Sequence, residues 1–220
     1  MTSEGDRRVF QPLPAQVSYH LAEYHAVLRD LLELTGAEAG EDGGERWHHS
    51  ARHAISKAVS VRANGSVPEE WFEPLVRAAV LEPDPSFGRQ LVGPAMAAFG
   101  RRRVKLAILD HLENGTTSDV AGASKAWYHT HFGIRAPGYT GPNDDERCSD
   151  LNQRYVHAAL RRFVAEDDLD LRRCVLPGLP LHRSHYPAEL HDLVDEAVRI
   201  ARTSDDGYLR HRVEIQVEAD

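Results

Sequence analysis

The chain has 220 residues, enough to bury a substantial core as one elongated domain or two compact ones. Hydrophobic residues make up 41% and charged residues 27%, the composition of an ordinary globular protein, and no apolar run approaches the roughly 20 residues that a bilayer span needs. The 26 basic and 34 acidic residues leave a net charge of −8, which speaks against a general polyanion binder.

Residues 1–13 read as a polar, flexible tail with two prolines and none of the apolar core of a secretory leader. A first helix is expected from Pro14 to Leu34, where Val17, Leu21, Tyr24, Leu28 and Leu31 recur at three- and four-residue steps and Gly36 stands just past the end. The glycine-rich acidic stretch AEAGEDGGE then links to a second helix from Arg46 to Val61. Together, residues 14–66 form an N-terminal helical pair. Ser66 is placed to cap a third helix opening near Pro68, and EPDP at 82–85 must break it, because proline removes a donor and disfavours helical geometry before it.

A fourth helix, capped by Asp84 or Ser86, runs to Gly100. The fifth ends at Asn114 and Gly115, and Thr117 or Ser118 starts the sixth. In it, the small residues Ala121, Gly122 and Ala123 let a neighbouring helix come close. The pattern lapses over 131–149, read as a long loop projecting from the fold. A seventh helix runs from about Ser149 to Ala165, an eighth through LRRCVL, and a ninth from Ala188 to Arg202. The terminus YLRHRVEIQVEAD fits a closing helix, while the alternation Val213, Ile215, Val217 would suit a strand.

Three stretches, 75–99, 104–128 and 155–179, share one grammar: an amphipathic helix, an acidic turn, and a shorter helix rich in small and apolar residues. A fainter copy covers 190–217. Self-similarity at this length implies stacked helical pairs, none able to bury its apolar face alone. The expected fold is therefore all-α, a stack of helical hairpins in one repeat domain over 14–220, with about four pairs in 68–217.

The segment LEPDPSFGRQLVGPAMAAFG resembles the HEAT-repeat pattern, including its phycobilisome-lyase-type variants, and EDDLDLRRCVLPGL matches it at Asp168, Asp170, Arg172, Val175 and Leu179. The middle copy departs from it, because Gly122 stands near the position of the usual arginine that bonds the turn. The resemblance covers roughly residues 68–217. It implies an α-α superhelix that scaffolds or binds proteins along a curved surface, without catalysis or cofactor. If the second helices line the concave side, as in that family, Arg89, Lys125, Arg172, Arg173 and Arg210 lie near it, and a protein partner or acidic peptide would suit them.

Trp127, Tyr128, His129, His131, Arg135 and Tyr139 form a candidate partner-binding wall at a helix end, since aromatic and arginine side chains carry disproportionate contact energy. Capping and ordinary packing explain the same residues. The competing reading is a metal site. Among thirteen histidines, His49 and His53 are spaced i, i+4 on one helix, and His25 on the preceding helix could complete a set for zinc or iron in a metal-dependent hydrolase. No HExxH supports it. A third reading gives the run Arg101, Arg102 and Arg103 to nucleic acid, against the net charge. Cys148 follows Asp144, Asp145 and Glu146, a setting that opposes thiolate formation. Two cysteines, Cys148 and Cys174, make neither a disulfide framework nor a zinc site, so a reducing cytoplasm is the expected location.

Overall fold

A computed structural model of the chain describes residues 11–14, 21–40, 46–63, 66–134 and 146–217, and among them every regular element is helical. The ten α-helices are α1 (Leu21–Thr35), α2 (Trp47–Arg62), α3 (Phe72–Leu81), α4 (Arg89–Phe99), α5 (Arg101–Asn114), α6 (Thr117–His129), α7 (Ser149–Ala165), α8 (Leu169–Val175), α9 (His191–Thr203) and α10 (Gly207–Val217). Consecutive helices pair, and the pairs stack. α1, α3, α5, α7 and α9 touch in succession as one layer, and α2, α4, α6, α8 and α10 as the other. One continuous apolar cluster runs between the layers from Tyr24 to Val213. The stretches 75–99, 104–128, 155–179 and 190–217 fall on the pairs α3/α4, α5/α6, α7/α8 and α9/α10, with α1/α2 in front.

Helix ends follow local chemistry. Thr35 closes α1, and Gly36 at φ 65° lets Ala37 N–H reach Leu32 O and Gly36 N–H reach Glu33 O, which satisfies two orphan carbonyls. Gly100 at φ 87° is the single residue between α4 and α5, a joint that a side chain would strain. Thr116 and Asp119 form a reciprocal capping box on α6. Asp168 caps α8 through Leu171 N–H at 2.8 Å, and Asp206 caps α10 through Leu209 N–H at 2.9 Å.

Several expectations move. The start of the first helix, residues 15–20, lies outside the described residues, as does most of the 131–149 loop. Ser66 caps nothing, because Glu69–Trp71 form a 3-10 turn ahead of α3. Asp84 and Ser86 do not cap α4. Asp84 Oδ1 instead accepts from Ser86 N–H at 2.8 Å within the turn, and the helix opens only at Arg89. The C-terminal segment does not move: it forms the closing helix, which runs to Val217.

Polar ties cross from one pair to the next at the turns. Arg52 of α2 reaches Glu82, with Nη1 to Oε2 at 2.8 Å, and Arg77 of α3 pairs with Asp119 of α6. Arg162 of α7 donates to Gly115 O at 3.1 Å, and Arg173 of α8 pairs with Asp206 at 2.5 Å. The middle pair, which has Gly122 where an arginine is expected, thus has its turn held by arginines from its neighbours. Gly122 is needed for a different reason: a Cβ there would lie 2.0 Å from Val80 O of α3.

Candidate functional site

The end of α6 alternates its side chains around the helix. Trp127 turns inward, 3% exposed, while Tyr128 stands out at 63%. Trp127 lies flat on Tyr155 of α7, ring centroids 4.4 Å apart and planes within 3°, so two helices from different pairs are joined by an offset aromatic stack. The fully buried Lys105 sets its Nζ 5.0 Å from the Trp127 ring centre and donates to Asn152 Oδ1 at 2.7 Å. Burial pushes the Tyr155 phenol up to about 12, so it stays protonated.

This stack forms part of the wall of a cavity of about 500 Å³ that opens across the ends of α6, α8 and α10. Val156, Cys174, Pro177 and Tyr208 supply further apolar wall, and Leu13 of the N-terminal segment also lines it. Burial raises the Cys174 thiol to about 11, which leaves it an inert small apolar group.

His129 also lines the cavity and is 6% exposed. Its Nε2 donates to Pro85 O at 2.8 Å, and its Nδ1 is buried without a hydrogen-bond partner. The ring packs so closely on the α4 turn that a Cβ at Gly88 would lie 2.7 Å from Cδ2. Beside it, Tyr128 meets Phe132 edge-on at 5.1 Å, and the Arg89 guanidinium lies 5.0 Å from the Phe132 ring centre while donating to Gly133 O at 3.1 Å. Arg89, Tyr128, His129 and Phe132 therefore form one knot, of which Tyr128 and His129 line the cavity. Lys125 belongs to the wall but not to the contact surface: it is buried, donates to Glu82 O at 2.8 Å, and burial depresses its pKa.

The other expected contact residues are engaged elsewhere. Arg172 pairs with Asp167 at 2.6 Å, Arg173 with Asp206 at 2.5 Å, and Arg210 donates to Ser204 O at 2.5 Å. All three hold turns. The basic run at 101–103 is similarly occupied. Arg101 is 5% exposed and donates to the carbonyls of Thr130 and Phe132, Arg102 pairs with Asp150 at 2.8 Å, and Arg103 pairs with Glu69 and covers Phe72. Arg135 and Tyr139 lie outside the described residues.

Of the histidines expected to hold a metal, His25 and His49 both lie against His48, at ring centroids 5.6 Å and 4.2 Å away. His49 Nδ1 lies 2.8 Å from Arg52 Nη2 and its ring faces Phe87, and His53 is on the exposed face of α2. Among the described residues, no three His, Cys, Asp or Glu side chains form a group able to bind a metal ion. A guanidinium, that of Arg52, thus stands beside His49 on the same helix.

Burial lowers the pKa of His48, His111 and His129 below the ordinary 6.5, and the charges of His49 and His25 add to the effect at His48. The unfolded chain therefore takes up protons before the native one does. Stability is complete above about pH 6.5 and falls as pH drops through the lower native values. Urea unfolding between pH 7.5 and 5 measures this, and the slope is shallower in His129→Phe. Asp119 and Asp206 act in another window. Burial alone would raise them, but Arg77 and Thr116, and Arg173, hold them below 3.8, so their contribution is lost only in stronger acid. A midpoint flat down to pH 5 would remove the buried-histidine account.

Sequence reasoning missed Phe132, Tyr155, Cys174 and Tyr208 as members of this site, since nothing in the local pattern joins residues drawn from three helical pairs. No family model, no curated protein and no solved structure matches the chain.

Proposed function

We propose that the chain is a non-catalytic, HEAT-like adaptor that binds a protein partner through the aromatic cavity on its second-helix layer. The observation that carries this reading is the arrangement around Tyr128. A large side chain, 63% exposed, stands at the rim of a cavity backed by the Trp127–Tyr155 stack and held by the Arg89–Phe132 contact. Tyrosine and arginine at the centre of a rigid apolar surface are the residues that dominate protein interfaces. The two-layer stack of alternating helices supports the HEAT-like assignment, and two buried free thiols fit a reducing compartment such as the cytoplasm.

The partner contact is apolar and aromatic rather than ionic, because Arg172, Arg173 and Arg210 are committed to their own turns. The test is affinity purification from native cell extract with the tagged protein and with Tyr128→Ala. Tyr128 is mostly outside the core, so the variant keeps its helix content. A stoichiometric partner retained by the native chain is expected to bind the variant about thirtyfold more weakly, the equivalent of roughly 2 kcal/mol at an interface anchor. Equal retention by both proteins excludes this face.

A further inference from the structure

We infer that the cavity takes an extended peptide bearing a leucine flanked by prolines, and that the chain's own Gln11–Pro14 segment occupies it in the absence of that partner. The inference rests on the partner-binding reading of this face and specifies the ligand. Leu13 is the observation behind it. This half-buried residue lies outside the helices, yet it lines the cavity together with Trp127, Tyr155, Val156 and Tyr208 and packs on the main apolar cluster. The sequence around it, Gln-Pro-Leu-Pro, cannot continue a helix and favours an extended backbone, which presents one side chain to a groove at little entropic cost.

The occupancy is incomplete. His129 Nδ1 is an acceptor inside the same wall, and it remains without a partner with Leu13 in place. A buried acceptor left unpaired carries its desolvation penalty uncompensated. A segment in trans that brings a leucine and an N–H donor to this acceptor makes a contact that the tethered segment does not. The tether, in turn, raises the local concentration of Leu13 to the millimolar range, so it suppresses weak competitors and yields to a better one.

The experiment uses the full chain and a synthetic peptide copying residues 8–16, RVFQPLPAQ, with binding followed by calorimetry and by tryptophan fluorescence. In Leu13→Ser the tethered competitor is weakened, and the peptide is expected to bind at least tenfold more tightly than to the native chain. Leu13→Ala gives a smaller gain in the same direction, should the serine variant prove unstable. Val156→Arg, placed on Leu13→Ser, abolishes the uptake and assigns it to the cavity. Equal affinity for native and Leu13→Ser chains, no binding to either, or uptake that survives Val156→Arg overturns the inference. If the peptide fails while a native partner still depends on Tyr128, the partner-binding reading stands and only the leucine-proline ligand falls.

Discussion

Glu82→Ala is expected to cost about 3–5 kcal/mol, the effect of removing one member of a buried ion pair and leaving the other charge in the core. Glu82 is 2% exposed and Arg52 1% exposed. The carboxylate accepts from Arg52 Nη1 at 2.8 Å, from the Tyr24 hydroxyl and from Asp84 N–H at 3.0 Å. The guanidinium also donates to Gln90 Oε1 at 3.1 Å and lies 4.2 Å from the Phe87 ring centre. One turn is thereby tied to α1, α2 and α4. The loss amounts to a large share of the 5–15 kcal/mol typical of a domain, and it falls first on α1 and α2, the terminal pair of a stack.

The variants around Glu82 separate charge from packing. Tyr24→Phe removes a hydrogen bond to a charged acceptor and costs about 1.5–3 kcal/mol. Arg52→Met with Glu82→Leu removes both charges and is far less costly than the sum of the single changes. Urea unfolding of the native chain, Arg52→Met, Glu82→Leu and their double variant measures this, with Glu82→Ala and Tyr24→Phe beside them. A loss below about 1 kcal/mol for Glu82→Ala would show that water reaches the pair. Because Lys125 also donates to Glu82 O and His129 to Pro85 O, the same turn forms the floor of the cavity, and its displacement weakens partner binding as well.

Glu82 also shows where the sequence stops being readable. Followed by proline, it signals a helix end, and that much was legible. Its burial depends on Tyr24 and Arg52, 58 and 30 residues earlier in the chain, and no local pattern records such a contact. The same holds for Arg173, whose carboxylate partner Asp206 is 33 residues on. Repeated basic residues early in second helices looked like a binding surface, although at α8 and α10 they tie turns. Helical pairing, by contrast, was written in period. Leu28 and Leu31, Ile108 and Leu112, and Val194, Ala197 and Ala201 face the core as their spacing requires. α10 was ambiguous for a physical reason: it packs on α9 on one side and on the Leu176–Gly178 turn on another, so its apolar residues are not confined to one stripe. Gln216 even donates to Leu176 O at 3.0 Å and Leu179 O at 2.8 Å, a polar side chain used as an anchor. At the site, Trp127, Tyr128 and His129 were legible as a cluster because they are adjacent. Their partners Tyr155 and Phe132 became visible only once the helices were docked.

Gly122→Ala is expected to destabilise the chain by about 3 kcal/mol, the upper end of overpacking, even though alanine favours helix by roughly 1 kcal/mol. The added Cβ would lie 2.0 Å from Val80 O, 3.0 Å from Val80 C and 3.1 Å from Val80 Cγ1. Two of those atoms are backbone, so no side-chain rotation relieves the clash, and α3 and α6 must separate. Their separation opens the core between two pairs, which is why the small run Ala121, Gly122 and Ala123 matters to the stack as a whole. Gly207→Ala is the matched control. Its Cβ meets only Arg210 Nη2 at 3.9 Å, so stability stays level or rises by up to about 1 kcal/mol. Thermal and urea unfolding of both variants read the sign directly. Should Gly122→Ala prove neutral, the close approach of α3 to α6 is not a requirement of this fold, and the absence of arginine at that position needs another cause.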